Sequence, residues 1–246
     1  MADRDKLPRP AGKSGTVAPS GGGAVGAFLQ KLAAMPKVRA AGPRGRLIFA
    51  LDATASRQPT WDQACEIQAE MFSATGALGG LDVQLAYYRG FGEFETSPWL
   101  ANATELTRLM TSVRCLGGRT QIFKVLDHAL AETARKRVNA LVFVGDAMEE
   151  ALDALCDRAG RLGVLGLPIF LFHEGRDPAV AEAFRQLARL SGGACCPFDA
   201  RSAGQLRELL RAVAVYAAGG WQALADHSRG AGESVRLLTR QMAPKK

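Results

Sequence analysis

The sequence predicts an α/β protein with three layers, in which helices cover both faces of a mostly parallel central sheet with one antiparallel edge strand. Short apolar runs typical of buried strands alternate with longer segments of helical periodicity. Only two of the predicted strands are close enough in sequence to form a hairpin, and the other connections are long enough for crossover helices. The alternation runs from Arg46 to Ala217, so we expect a domain over residues 41–219 between an N-terminal arm, 1–40, and a C-terminal tail, 220–246.

The first strand is predicted at Leu47–Leu51, a continuous apolar run between Gly45 and Asp52 that is typical of a strand buried on both faces. A Gly-Gly pair ends the next helix, and a second glycine-containing segment turns the chain into the antiparallel edge strand. The first half continues with helix Thr60–Leu78, stop Gly79-Gly80, strand Val83–Tyr88, turn Gly90–Gly92, edge strand Glu93–Glu95 and helix Leu100–Val113.

The second half repeats the strand–helix alternation after a glycine-containing loop. Its predicted elements are loop Cys115–Thr120, helix Gln121–Arg137, strand Ala140–Gly145, helix Glu149–Leu162, strand Pro168–Phe172, helix Pro178–Leu190, strand Ala194–Pro197 and helix Ala203–Ala217. The strand at Ala140–Gly145 is expected to lie beside the first strand. The tail after Gly219-Gly220 is expected to add short helices, and its apolar patch, Val235, Leu237 and Leu238, to dock on the domain.

The basic character of the chain belongs to its ends. Residues 1–46 carry a net charge of +7 and residues 229–246 a net charge of +4, whereas residues 47–228 carry −4. A nucleic-acid-binding fold usually has its basic residues on the folded surface, so a specific nucleic-acid partner is not expected. We expect a disordered arm with a short helix at Ala24–Ala34, and tails that can make only non-specific contacts with nucleic acid or anionic lipid.

Cysteine usage and hydropathy indicate a cytoplasmic protein. The five cysteines are an odd number without a CxxC pair, which argues against a disulfide framework and a zinc site and favours small buried side chains in a reducing compartment. No apolar run approaches the roughly 20 residues that cross a bilayer, so no membrane span is expected. The cysteines are Cys65, Cys115, Cys156, Cys195 and Cys196.

Oxygen-bearing side chains follow the predicted strands, where open α/β sheets bind their ligands. Asp52, Thr54 and Ser56 alternate directly after the first strand, so an extended turn can direct one carboxylate and two hydroxyls toward one point. Thr120 follows a Gly-Gly pair at the start of a helix, and Asp146 follows the strand expected beside the first. Hard divalent cations such as Mg²⁺ take these oxygen ligands.

This ordered set resembles the metal-ion-dependent adhesion site (MIDAS) of von Willebrand factor A (VWA) domains, which have a Rossmann-like fold. The family pattern is DxSxS, then a threonine after a glycine-rich loop, then an aspartate after a hydrophobic strand. Thr54 replaces the usual serine, and Ala147 follows Asp146 where the family commonly has glycine. The resemblance, which covers residues 46–217, implies Asp52, Thr54, Ser56, Thr120 and Asp146 as ligands of Mg²⁺, Mn²⁺ or Ca²⁺.

The resemblance implies binding without catalysis. One coordination position of the cation stays open for a carboxylate of a partner protein, and the scheme needs no nucleophile or general base. Members of the family without a secretion signal often act as adaptors in bacterial multi-protein assemblies. An Ala-, Gly- and Arg-rich composition is compatible with a bacterial source. The implied function is therefore a cation-dependent protein–protein interaction module.

Alternatives to the metal site remain open from the sequence. Ser56, Thr120 and Asp146 each precede a predicted helix and could simply cap it. A second alternative is a Mg²⁺-dependent phosphohydrolase resembling the haloacid dehalogenase superfamily, with Asp52 as nucleophile and Glu149 or Glu150 as an extra ligand. That enzyme needs a lysine near a helix start to balance phosphate charge, whereas residues 47–228 contain only Lys124 and Lys136, in one predicted helix. A third alternative is a structural domain whose tails do the binding.

Overall fold

The computed structural model describes residues 44–67, 69–76, 80–198 and 203–243. The arm expected at 1–40, with its helix Ala24–Ala34, lies outside the described residues. Within them the sheet has six strands in the order β3-β2-β1-β4-β5-β6. All neighbours are parallel except β2 and β3, which confirms the predicted sheet. The strands are β1 (Gly45–Asp52), β2 (Leu81–Arg89), β3 (Glu93–Thr96), β4 (Ala140–Gly145), β5 (Ile169–Glu174) and β6 (Ala194–Phe198).

Helices cover both faces of this sheet. Because side chains alternate along a strand, Leu47, Phe49 and Leu51 of β1 enter one apolar layer, and Ile48 and Ala50 enter the other. The first layer contains residues of α1, α2, α3, α7 and α8, and the second those of α4, α5 and α6. The helices are α1 (Gln58–Ile67), α2 (Ala69–Thr75), α3 (Ala103–Ser112), α4 (Ile122–Arg135), α5 (Leu152–Val164), α6 (Pro178–Ser191), α7 (Ala203–Ser228) and α8 (Glu233–Gln241).

Three helices differ from the sequence prediction. The helix expected from Leu100 begins at Ala103. The segment expected as one helix from Thr60 begins at Gln58 and is described as α1 and α2. The helix expected from Glu149 begins at Leu152. The backbone of α7 kinks at Gly220, with φ of 72° and ψ of −166°, so two helices meet there and the first ends close to the expected end at Ala217. The second of these helices packs on the domain, because Leu224, beyond the kink, is fully buried in the core.

The C-terminal segment packs on the domain. Val235 and Leu238 of α8 are fully buried, whereas Leu237 of the same predicted patch is exposed. At the end of α8 the side-chain amide of Gln241 donates to the carbonyl of Cys195 and accepts from its N–H, both at 2.9 Å, so one side chain pairs with the outer edge of β6. None of the helices in the described ranges is long and apolar enough to cross a membrane.

Candidate metal centre

The five side chains predicted as metal ligands line one small cavity. The cavity, of about 220 Å³, lies at the carboxyl ends of β1 and β4. These strands are neighbours, and the strand order reverses between them, which is where open α/β sheets bind ligands. The loop before α4 forms the remaining wall. The predicted residues in the lining are Asp52, Thr54, Ser56, Thr120 and Asp146.

The segment after β1 places three of these oxygens next to one another. Asp52 is buried, and its carboxylate accepts hydrogen bonds from the backbone N–H of Thr54 at 2.8 Å and from the Tyr88 hydroxyl at 3.0 Å. The Thr54 and Ser56 hydroxyl oxygens are 3.3 Å apart, and Ser56 Oγ donates to Asp146 Oδ2 at 3.3 Å. The last contact joins the ends of the two central strands across the cavity.

Thr120 has one lone pair available for the cavity. Its hydroxyl donates to the Glu150 carboxylate at 2.6 Å and accepts from the backbone N–H of Glu149 at 2.9 Å. A hydroxyl has two lone pairs, so the second stays free to meet a cation. Since its proton is given to a carboxylate, the oxygen also carries more negative charge than an ordinary hydroxyl.

The donor set fits a hard divalent cation. Adjacent ligands of an octahedral Mg²⁺, each about 2.1 Å from the ion, are about 3 Å apart, close to the 3.3 Å between Thr54 and Ser56 and between Ser56 and Asp146. Among the described residues no three His, Cys, Asp or Glu side chains are grouped so as to hold a metal by themselves. The two aspartates therefore need the three hydroxyls to complete a site. The backbone does not require a glycine after Asp146, because no non-glycine residue of the described chain, Ala147 included, has a positive φ.

The simple capping interpretation is wrong for the three residues that precede helices. Ser56 lies inside a 3₁₀ turn, Ala55–Arg57, whose N-cap is Thr54, and Thr54 makes no side-chain capping bond. The residues at the N-caps of α4 and α5 are Gln121 and Ala151, neither with a capping bond of its own. Instead, the Glu150 carboxylate accepts the Ile122 N–H of α4 at 2.5 Å. Thr120 and Asp146 therefore do not act as the N-caps of α4 and α5.

A buried cation beside the cavity was not predicted from the sequence. Arg57, which is 2% exposed, forms an ion pair with Glu174 at the end of β5, and Thr60 donates to the same carboxylate at 2.5 Å. Burial lowers the pKa of Arg57, and the negative charges of Asp146 and Asp52 oppose that shift. The Nε and Nη2 atoms of Arg57 are buried without a hydrogen-bond partner. The rule that selected Asp52 and Asp146 did not reach Glu174, because the strand was predicted to end two residues earlier, at Phe172.

Two further buried side chains lie near the site, Tyr88 and His173. Tyr88 is fully buried, and burial together with the nearby Asp52 raises its pKa well above the usual value, so that it remains an O–H donor to Asp52. His173, near the end of β5, is buried with its ring 5.5 Å from that of Phe184. Burial lowers the pKa of His173, so its neutral form is favoured.

Burial of Asp52 predicts how the metal-free protein responds to pH. Burial raises the pKa of Asp52 above its usual value, the bonds from Thr54 and Tyr88 oppose the shift, and the charge of Asp146 adds to it. The folded protein therefore holds the Asp52 proton more tightly than the unfolded chain, and the resulting stability is lost as the pH rises through the raised pKa.

In EDTA at neutral pH we expect Asp52→Asn to melt at a higher temperature than the wild type, and the difference in Tm to shrink toward pH 4. Asp177→Asn, at the exposed N-cap of α6, is the control. A wild type that is more stable than Asp52→Asn in EDTA at neutral pH would contradict this account.

Comparison with known proteins shows the fold. No protein-family model and no curated protein matches the sequence. Among solved structures, proximal thread matrix protein 1 of the mussel byssus, with a zinc-occupied MIDAS motif, matches at a TM-score of 0.56 and 15% identity, over 72% of this chain and 47% of that chain. An aerotolerance-related membrane protein from Bacteroides fragilis matches at 0.53 and 14% identity, over 74% and 99%. The SpRpn10 VWA domain matches at 0.51 and 10%, over 67% and 95%.

These matches establish a VWA-like architecture. Two of them are covered almost completely by this chain, and the chain spans about half the length of the mussel protein. At 10–15% identity the likeness concerns the fold, and the chemistry of the cavity has to be argued from the side chains of this chain.

Proposed function

We propose that this chain, which has the fold of a VWA domain, holds a divalent cation through Asp52, Thr54, Ser56, Thr120 and Asp146 and binds a partner protein there. The cation is Mg²⁺, with Mn²⁺ or Ca²⁺ as substitutes, and when bound it offers an open coordination position to a carboxylate oxygen of the partner. The side chains of the chain fix the ion and shape the cavity, and none of them has to act as a nucleophile.

One observation carries this proposal: five oxygen-bearing side chains, from three segments that are far apart in sequence, meet around one cavity at the reversal of the strand order. Two hydrogen bonds hold the Asp52 carboxylate in place before any cation binds. The Ser56–Asp146 contact joins the β1 and β4 sides at a spacing that suits neighbouring ligands. The zinc-occupied MIDAS of the mussel protein is a precedent for a cation in this fold.

The phosphohydrolase alternative lacks its lysine. The ammonium group of Lys124 donates a hydrogen bond to the carbonyl of Gly92 at 2.6 Å. Lys136 is the C-cap of α4 and lies beside Arg46, at the amino-terminal end of β1 and away from the cavity. In the part of the chain that is described, no lysine lines the cavity. Of the two further ligands in that alternative, Glu149 lines the cavity but already accepts the backbone N–H of Thr120 at 3.0 Å. The other, Glu150, is bonded to the Thr120 hydroxyl and to the start of α4.

We propose a cytoplasmic role as an adaptor in a bacterial protein assembly. All five cysteines are free thiols, including the adjacent Cys195 and Cys196. Burial raises the pKa of Cys195 to about 11 and that of Cys196 to about 12, so both remain protonated and unreactive at neutral pH. Such side chains suit a reducing compartment.

The test of the proposed function is cation-linked stability. A ligand that binds only the folded state at 100 times its Kd stabilises it by about 2.7 kcal/mol, which is a rise of roughly 5–10 °C in Tm for a domain of this size. We expect Mg²⁺ or Mn²⁺ to raise the Tm of the wild type in differential scanning fluorimetry, and Asp52→Ala to abolish the rise.

Asp153→Ala is the matched control, because Asp153 lies exposed in the first turn of α5, away from the cavity. Asp153→Ala should show the same rise in Tm with Mg²⁺ or Mn²⁺ as the wild type. A wild type whose Tm does not change over a wide range of Mg²⁺ and Mn²⁺ concentrations would overturn the proposal. Metal-dependent hydrolysis of p-nitrophenyl phosphate that is lost in Asp52→Asn would favour the phosphohydrolase instead.

A further inference from the structure

Two loops beside the cavity are locked together, and we call them the rim: the β2–β3 turn, Gly90–Gly92, and the segment Arg114–Arg119. A Cβ atom on Gly118 would lie 2.0 Å from the carbonyl oxygen of Gly90, so the two backbones are in direct contact. Backbone and side-chain hydrogen bonds add to that contact. They are Arg119 N–H to Gly90 O, 3.1 Å; Gln121 Nε2 to Arg89 O, 3.1 Å; Lys124 Nζ to Gly92 O, 2.6 Å; and Arg89 Nη1 to Arg114 O, 3.0 Å.

The rim is continuous with the cavity. Gly117 and Gly118 line the cavity, and the N–H of Leu116 donates to the carbonyl of Ala53, between Asp52 and Thr54, at 3.0 Å. The rim is therefore fixed relative to the proposed cation, and a segment that reaches the cation meets the rim next.

The rim presents two large apolar side chains to solvent. Phe91 is 83% exposed at the tip of the turn, and Leu116 is 43% exposed. Single exposed apolar residues are ordinary on protein surfaces. Here two of them lie within two residues of the Gly90–Gly118 contact that joins the two loops. Exposed apolar side chains grouped beside a cavity mark interaction sites.

The rim is also positively charged on a domain that is otherwise mildly acidic. Arg89 is paired with Glu93 at 2.7 Å, whereas Arg114 and Arg119 are exposed and have no ion pair among the described residues. Residues 47–228 as a whole carry −4. Two unpaired guanidinium groups beside a cation site attract acidic chains and repel basic ones.

We propose that the partner of this site is a protein segment in which the metal-binding Asp or Glu is adjacent to an aromatic or aliphatic residue. The carboxylate enters the cavity, the apolar neighbour packs on Phe91 and Leu116, and further acidic residues of the segment face Arg114 and Arg119. This inference rests on the proposed cation site and specifies what that site selects.

The test is selection from a random dodecapeptide phage library on the immobilised full chain in Mg²⁺, with elution by EDTA. We expect the eluted peptides to be enriched in Asp or Glu directly beside Phe, Trp, Leu or Ile. Against a selected peptide in fluorescence polarisation, Phe91→Ser/Leu116→Ser should weaken binding roughly tenfold or more, the loss expected when two anchoring side chains are truncated.

Val164→Ser/Leu165→Ser is the matched control, since these residues are also exposed and lie at the end of α5, just before β5 begins and so at the opposite end of the parallel strands from the cavity. The control variant should bind the peptide as the wild type does, and both double variants should keep the rise in Tm with Mg²⁺.

An EDTA-eluted pool rich in acidic residues without apolar neighbours overturns the rim proposal but does not contradict the cation site. No EDTA-dependent enrichment, together with no rise in Tm, overturns the cation site itself. Mg²⁺-dependent dimerisation that is lost in Phe91→Ser/Leu116→Ser would assign the rim to a second copy of the chain and overturn the peptide proposal.

Discussion

Gly118→Ala is expected to remove the cation-dependent rise in Tm and to destabilise the fold by about 3 kcal/mol, the upper range for overpacking a rigid contact. The added Cβ would lie 2.0 Å from Gly90 O and 2.4 Å from Gly90 C, and both are backbone atoms that cannot turn away. The loop must move by about an ångström to restore an ordinary contact, and it carries Thr120, two residues later, away from the cavity. Urea unfolding and an Mg²⁺ titration followed by Tm measure the two effects.

Gly117→Ala is the control for this variant. Gly117 lines the same cavity, but a Cβ there has no atom within 4 Å, and its φ is not positive. Alanine restricts the unfolded chain more than glycine does, so this variant should be neutral or stabilised by up to about 1 kcal/mol. Equal stabilities and equal Mg²⁺ responses of the two variants would show that the packing of Gly118 on Gly90 does not position Thr120.

Arg57→Met is expected to destabilise the metal-free protein by about 3–5 kcal/mol, because it leaves Glu174 without its partner in a largely buried position. Replacing both members, in Arg57→Met/Glu174→Leu, removes the unpaired charge together with the buried pair. The double variant should recover most of the loss, as buried pairs replaced by apolar side chains commonly do. Equilibrium unfolding of the wild type, Glu174→Leu, Arg57→Met and the double variant gives the coupling energy of the pair.

The same variants test whether Arg57 lowers the affinity of the site for cations. Its guanidinium lies close enough to Asp146 and Asp52 for their charges to act on its pKa, so its positive charge also opposes a divalent ion held by them. We expect the double variant to bind Mn²⁺ more tightly than the wild type in a titration followed by electron paramagnetic resonance. Additive destabilisation in the cycle and an unchanged Mn²⁺ affinity would show that the ion pair is neither stabilising nor coupled to the site.

The succession of strands along the chain, the place of β4 beside β1 and the positions of the proposed ligands were predicted from local patterns and the family resemblance. A buried parallel strand such as β4 is a short apolar run, and the residue at its carboxyl end can be read directly, which identified Asp146. The pairing of Arg57 with Glu174 could not be read in this way, because the two residues are 117 positions apart and no local pattern links them. Their proximity depends on β5 lying next to β4 in the folded sheet.

Helix ends were predicted less well where tertiary contacts decide them. Glu149 and Glu150 have good helix propensity, but their carboxylates bond the backbone of Thr120 and Ile122, so α5 starts only at Leu152. In α7 the Gly219-Gly220 pair interrupts the helix, as the local pattern predicts, and two helices meet at a kink at Gly220. Gly220 takes the positive φ that the kink needs, and burial of Leu224 in the core fixes the helix after the kink on the domain.

The bonds from Gln241 to β6 have a consequence for self-association of the chain. An uncovered edge strand offers its free N–H and C=O groups as a template on which another molecule can polymerise. The amide of Gln241 occupies one such pair of groups, at Cys195, and α8 packs along the same strand. At the opposite edge, β3 has only four residues and exposes Glu93 and Glu95. The two borders of the sheet are thus protected against fibre growth by different means, a side-chain amide at one and shortness with like charges at the other.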